Sequence, residues 1–306
     1  MAEIGGVIVP TVTPFTEGGE RVDLGWIPRH LDYLHRNGAD AVLITGTNGE
    51  GPSLSLLERK AITDTVLAHR SGLGVMVGTG CSALPDTIEL SQYVLEQGAD
   101  AALVVPPFYF KNLSDSGLIE YYTALIDALP SEGKIALYNI PKLSGVEVTD
   151  GLTEALLDRY GYRFLGIKDT SGSIDHTRHL IRRFPQLRIF SGTDMIVDEA
   201  VQAGVKGNVS AAANVFPHLV RAIFEAHAKG ESAVAPQAKL AAIRRAIDSY
   251  PSHSALKHAL CHFGGLPLRW VRPPLRDLSP READELFEKL VAILEERDEA
   301  AIQAGA

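Results

Sequence analysis

The chain has 306 residues, of which 45% are hydrophobic, 22% charged and only 7% aromatic, so it can bury most of its apolar surface without disulfides or metal staples. Its 29 Lys and Arg against 38 Asp and Glu leave a net charge of -9, which argues against a nucleic-acid or anionic-membrane partner, because binding phosphates needs a basic field. Cys81 and Cys261 fit neither a disulfide framework nor a CxxC pair, the opening residues lack the basic start of a signal peptide, and no apolar run approaches the roughly 20 residues that span a bilayer. These features read as a soluble, cytoplasmic protein.

In chain order, β-rich runs bounded by Gly, Pro or Asp fall at 6–13, 41–45, 74–78, 101–105, 135–139, 164–168, 187–191 and 206–210. They are nearly continuous apolar stretches, as expected of strands buried on both faces of a parallel sheet. Amphipathic segments at 54–68, 84–95 and 118–129 lie between them, the first behind a Ser- and Glu-containing start. Eight such βα units predict an α/β fold, a closed (β/α)₈ TIM barrel. An open doubly wound sheet would carry a Gly-rich phosphate turn after its first strand, where this chain has Thr11-Val12-Thr13-Pro14-Phe15. Past Val215 only helical patterns follow, at 217–228, 236–249, 255–263 and 280–297. The expected division is a barrel core at 1–215, its last helix running to about 230, and a C-terminal helical appendage at 231–306.

In a barrel of this kind the active site gathers where the strands end. Within Phe164-Leu-Gly-Ile-Lys-Asp-Thr-Ser-Gly172, Lys168 closes the apolar strand, so its amine should enter a dry barrel mouth, where desolvation disfavours the ammonium. A neutral amine is a nucleophile toward carbonyl carbon. The plainer alternative is a structural ion pair with Asp169. Tyr138 ends the preceding strand, where a phenol can shuttle protons or simply pack its ring. Gly46-Thr47-Asn48-Gly49-Glu50-Gly51 lacks the Lys-Ser/Thr ending of a P-loop but suits a nest for a carboxylate. Pro106-Pro107-Phe108-Tyr109-Phe110 offers an aromatic wall or a subunit contact. His258 and His262 flank Cys261 on an expected helix, but Ala259 stands where an HExxH metal helix has Glu, so no metal is expected. His176 and His179 are expected in solvent.

Together and in this order, Gly46-Thr47-Asn48-Gly49-Glu50, Tyr138-Asn139-Ile140-Pro141 and Gly166-Ile167-Lys168-Asp169-Thr170-Ser171-Gly172 resemble the dihydrodipicolinate synthase / N-acetylneuraminate lyase family of pyruvate aldolases. The likeness runs from Pro10-Thr-Val-Thr-Pro-Phe15 to Val271-Arg-Pro-Pro-Leu275. It implies a class I mechanism: Lys168 forms a Schiff base with pyruvate or another 2-keto acid, Tyr138 shuttles protons with Thr47 as relay, and Tyr109 is lent to a neighbouring subunit's site. It further implies that the keto-acid carboxylate rests on Thr47 and Asn48, that Gly192 and Val209 shape the pocket, that neither metal nor cofactor takes part, and that the chain forms a homotetramer built as a dimer of dimers.

Departures from the family pattern bear on the substrate. Synthases of the family carry Arg two residues before the Gly matching Gly145, where it holds the carboxylate of aspartate semialdehyde; here that residue is Leu143. Sialic-acid lyases carry an acidic residue after the Asp matching Asp194, and here Met195 follows; Asn48 replaces a more usual Thr or Ser. The resulting expectation is an aldolase for a 2-keto-3-deoxy sugar acid, with Thr170, Asp194 and Ser210 reading hydroxyls. A 4-hydroxy-tetrahydrodipicolinate synthase, a 2-keto acid dehydratase and a non-catalytic keto-acid-binding regulator are the alternatives, the last opposed by the presence of both Tyr138 and Lys168.

Overall fold

A computed structural model describes residues 4–267 and 270–304, with side chains as far as residue 295. Its elements alternate as β1 (Gly6–Pro10), α1 (Ile27–Arg36), β2 (Ala41–Ile44), α2 (Leu56–His69), β3 (Gly74–Gly78), α3 (Leu84–Glu96), β4 (Ala101–Val104), α4 (Asp115–Ala128) and β5 (Ile135–Asn139). A short α5 (Pro141–Ser144) follows, then α6 (Asp150–Tyr160), β6 (Phe164–Asp169), α7 (Ile174–Arg183), β7 (Arg188–Ser191), α8 (Val197–Ala203), β8 (Gly207–Val209) and α9 (Pro217–Lys229). Every strand pairs in parallel with its successor and β8 returns to β1, so the sheet closes as a (β/α)₈ barrel. Among the described residues three C-terminal helices follow: α10 (Val234–Asp248), α11 (Ser252–Gly264) and α12 (Pro280–Ala304).

The differences from the sequence expectations have local causes. α4 starts at Asp115, one turn before the apolar periodicity begins, because the Ser114 hydroxyl accepts the Gly117 N–H and caps it. β1 ends at Pro10 and not at Thr13: the Val12 N–H is taken by the Asn214 side chain at 3.1 Å, which draws the chain off the sheet.

Period-2 alternation splits the strands between two apolar layers. Inside the barrel lie Ile8, Leu43, Met76, Leu103, Ala136 and Phe190, while Val9, Val42, Val77, Val104, Leu137 and Ile189 face the helices. β6 departs from strict alternation. Its register against β5 slips by one residue between Ile135 paired with Phe164 and Ala136 paired with Gly166. Phe164 and Ile167, three positions apart, therefore share the outer layer, while Leu165 packs on the inner one. A bulge of this kind re-aims everything beyond it. Without it Lys168 would face the helices; with it, Lys168 faces the barrel mouth and Asp169 faces out.

Candidate active site

The register that follows the bulge sets Lys168 beside Tyr138 on one flank and Phe190 on the other. Both functional side chains are nearly enclosed, Lys168 at 4% and Tyr138 at 6% exposure, and the Lys168 Nζ lies 3.9 Å from the centre of the Tyr138 ring. The Tyr138 hydroxyl stands 3.4 Å from the Thr47 Oγ1. Burial alone would push the phenol up; the Lys168 charge, with the Thr47 hydroxyl beside it, outweighs it and holds the phenol below its usual value. An amine and an acidified phenol in a dry pocket are the groups needed to attack a carbonyl carbon and protonate the departing oxygen.

Asp169 is not the partner of Lys168. On the outer face its carboxylate accepts from the Asn139 Nδ2 at 2.9 Å, the Ser171 N–H at 3.1 Å and the Thr177 Oγ1 at 2.9 Å, and it lies 3.1 Å from the His176 Nδ1. His176 is thus engaged with Asp169, and His179 pairs with Asp150 at 2.8 Å, a correction to the expectation that both stand in solvent. Each lies on the first turns of α7, within reach of a carboxylate from a neighbouring element.

The loop 46–51 forms a tight turn after β2. A Cβ on Gly51 would lie 2.3 Å from the Thr45 carbonyl oxygen, so no larger residue closes it. Thr47 and Asn48 from this turn, Tyr138, Leu143, Lys168, Thr170, Gly192, Asp194 and Val209 all line one cavity of about 550 Å³ at the C-terminal end of the strands. Gly192 lets that wall close: a Cβ there would lie 2.0 Å from the Thr170 Oγ1. Three buried polar atoms of this wall, Thr170 Oγ1, Asp194 Oδ1 and Arg244 Nη1, have no hydrogen-bond partner in the protein. Burial pushes the Asp194 carboxyl up, against the opposing pull of Arg244.

Two of the expected residues stand elsewhere. Ser210 is wholly buried with its Oγ accepting the Ala213 N–H, and it does not line the cavity. Tyr109 is 76% exposed beside the equally outlying Phe110, in edge-to-face contact. His258 is bound to Asp277 at 2.8 Å and His262 packs on Phe287, so the helix pair is absorbed by α12 and its approach.

Sequence reasoning missed the contribution of the C-terminal helices. Arg244 and Asp248 of α10 and Ser252 and His253 of α11 line the same cavity as Lys168. Arg244 is held by Asp248 through two hydrogen bonds, of 2.9 and 2.6 Å, and its Nη1 lies 4.0 Å from the Asp194 Oδ2. The only local signal was the spacing of four that joins Arg244 to Asp248 on one helix face. A second, smaller cavity of about 200 Å³ shares Thr47, Tyr138, Ile140 and Leu143 with the first, and is walled by Val105, Phe108 and the buried Arg59. Arg59 donates to the carbonyl oxygens of Gly78 and Gly80 at its floor.

Comparison with known proteins agrees with this geometry. The family model described as the dihydrodipicolinate synthetase family matches residues 3–293. An uncharacterized DapA-like lyase of Chloroflexus aurantiacus is 42% identical over 295 residues, spanning 95% of this chain and 99% of its own. A 4-hydroxy-tetrahydrodipicolinate synthase of Dechloromonas aromatica is 31% identical over 280 residues, 90% and 94% of the two chains. Among solved structures, a 2-keto-3-deoxygluconate aldolase of Sulfolobus sulfataricus, in complex with D-KDPG, superposes with a TM-score of 0.87 at 27% identity, covering 97% of this chain and 99% of that one. The closed barrel, the convergence of Lys168, Tyr138 and Thr47 at its mouth and the match over nearly the whole chain make this protein an enzyme of the lyase class that belongs to the dihydrodipicolinate synthetase family.

Proposed function

We propose that the enzyme is a Schiff-base-forming pyruvate aldolase that reversibly cleaves a 2-keto-3-deoxy sugar acid to pyruvate and an aldehyde. The observation that carries this reading is the Tyr138–Lys168 pair enclosed in one cavity whose wall also holds the partnerless oxygens of Thr170 and Asp194. The Lys168 Nζ attacks the C2 carbonyl carbon; the oxygen takes one proton from the attacking nitrogen and a second relayed by Tyr138 and leaves as water, giving a protonated imine. The bond between C3 and C4 then breaks, its electron pair flowing into the imine to form an enamine, while the C4 hydroxyl returns its proton to the Tyr138 phenolate and the aldehyde departs. Protonation at C3 and hydrolysis of the imine release pyruvate and restore the amine.

The substrate class follows from charge. Leu143 stands at the mouth, 61% exposed, and cannot pair with a second carboxylate. Deeper in, Arg244 is held by Asp248 and lies 4.0 Å from Asp194, and its unpartnered Nη1, with the Thr170 and Asp194 oxygens, offers hydrogen bonds that a hydroxylated chain satisfies. Thr47 and Asn48 hold the keto-acid carboxylate. The enzyme works in the cytoplasm as a homotetramer, a dimer of dimers, in which Tyr109 of a second copy enters the smaller cavity beside Tyr138; its 76% exposure supports this. The synthase reading is favoured by the Dechloromonas aromatica relative, and one comparison separates the two. The wild type should cleave keto-deoxy sugar acids faster than it condenses pyruvate with aspartate semialdehyde, and Leu143→Arg should raise the condensation about 10- to 150-fold, the worth of roughly 1.5 to 3 kcal/mol for a charge-assisted hydrogen bond. Faster condensation by the wild type overturns the aldolase reading in favour of the synthase.

A further inference from the structure

The turn that presents Thr47 is held in a conformation its own sequence disfavours. Thr45 and Glu50, at its two ends, have left-handed backbones with φ of 51° and 54°, and neither is glycine. Such conformations persist only where the surroundings over-determine them. The restraint comes from outside the barrel core. His253, in the first turn of α11, places its Nε2 2.9 Å from the Thr47 carbonyl oxygen; that oxygen can only accept, so the ring carries its proton at Nε2. One turn along the same face, the Lys257 Nζ donates to the Glu50 Oε1 at 2.6 Å and to the Trp270 carbonyl at 2.6 Å. The Glu50 Oε2 accepts the Arg272 N–H at 3.1 Å. Both side chains of the Lys257–Glu50 pair are wholly buried. An apolar pair of the same shape would serve stability as well, so what the ion pair adds here is a fixed geometry between α11 and the turn.

We propose that His253 is a positioning residue of the reaction: from α11, docked by the Lys257–Glu50 pair, it fixes the Thr47 peptide and thereby the Thr47 hydroxyl against Tyr138. This rests on the Schiff-base reading above, and it gives the C-terminal helices a part in the proton transfer that the barrel residues perform. The 3.4 Å between Thr47 and Tyr138 leaves little slack, and small misplacements of a proton-transfer partner cost disproportionately in rate.

The test uses pyruvate alone, so it does not depend on knowing the aldehyde. Two quantities are measured on the full chain: the yield of Lys168 modified by pyruvate and borohydride, which reports imine formation, and exchange of the pyruvate methyl protons for deuterium, which reports proton transfer on the imine. His253→Ala should slow exchange about 10- to 100-fold while the trapped yield at saturating pyruvate and the thermal midpoint match the wild type. His253→Gln keeps an N–H donor at similar reach and should recover most of the exchange rate. Wild-type exchange in His253→Ala overturns the inference, as does an equal loss in both variants accompanied by a lowered midpoint, which marks a structural role. If wild-type Lys168 is not trapped at all, the Schiff-base reading falls and this inference falls with it; if it is trapped and His253→Ala exchanges normally, the inference alone fails.

Discussion

The two faces of the β5–β6 pair are built from neighbouring residues and treat their polar groups in opposite ways. On the outer face Asn139 and Asp169 are saturated: the Asp169 carboxylate meets Asn139, Ser171, His176 and Thr177, and the Asn139 Oδ1 accepts the Val148 N–H at 3.2 Å. On the inner face Tyr138 and Lys168 share a cavity with Thr170 and Asp194, each of which keeps an unpartnered buried oxygen. A polar group satisfied within the protein builds structure, and one left unsatisfied at a cavity wall awaits a ligand. The difference assigns chemistry to the inner face and stability to the outer one, although the residues concerned are adjacent in the chain.

Lys168→Ala should break the comparison most completely. Removing the amine should abolish turnover and pyruvate trapping, while the truncated strand end keeps the fold, as circular dichroism and the thermal midpoint would show; residual trapping on another lysine refutes the assignment. Tyr138→Phe retains the ring and deletes only the phenol. It should lower kcat by about 10² to 10⁴-fold with Lys168 still trappable, and a near-normal kcat removes Tyr138 from the mechanism.

How much of this was legible beforehand depends on the distance over which each feature is decided. β3 and β5 fell where the apolar runs ended, because Gly and Pro at their borders act locally. Lys168 and Tyr138 were legible as strand-end residues once eight βα units implied a barrel. The slip between Ile135 and Ala136 was not, since a bulge is a property of two strands together, and the plain alternation of β6 would have turned Lys168 outward. Arg244, Asp248 and His253 were likewise hidden: their helices follow the barrel in sequence, and only the docking of α10 and α11 over its mouth brings them to the cavity. His176 read as a solvent residue because its partner, Asp169, lies on the far side of a turn.

A smaller effect, on stability and not on chemistry, is expected from the outer face. Asp169→Ala leaves the Asn139 amide short of an acceptor in a buried position, at a cost of about 1–3 kcal/mol, while the Thr177 hydroxyl keeps the Ser173 carbonyl at 3.2 Å. Denaturant titration should register that loss, and trapping of Lys168 should persist in whatever fraction remains folded. Loss of trapping in a folded Asp169→Ala protein would show that the two faces are not separable.

The smallest effect concerns His176, and its sign distinguishes a charged contact from a neutral one. The hydrogen bond to Asp169 raises the imidazole above its ordinary 6.5, against the opposing effect of burial, and the charges of Asp169, Asp150 and Glu147 add to the rise. Asp169 shifts the other way: burial would raise it, but His176, Asn139 and Thr177 hold it below its ordinary 3.8. A base with a raised folded-state value stabilises fully below its unfolded value and loses that contribution as the pH climbs through the folded one. The carboxylate's contribution is present above 3.8 and disappears only as the pH falls through its lowered value. The two windows overlap between pH 3.8 and 6.5, where both partners are charged in the folded protein. His176→Ala should therefore lower the thermal midpoint most when measured near the middle of that interval, and progressively less as the pH rises past the folded-state value of His176. Because the ring is only half-buried, solvent screens the pair and the largest difference stays small. A midpoint difference as large well above the folded-state value of His176 as it is within that interval would mean that the His176–Asp169 contact is a neutral hydrogen bond.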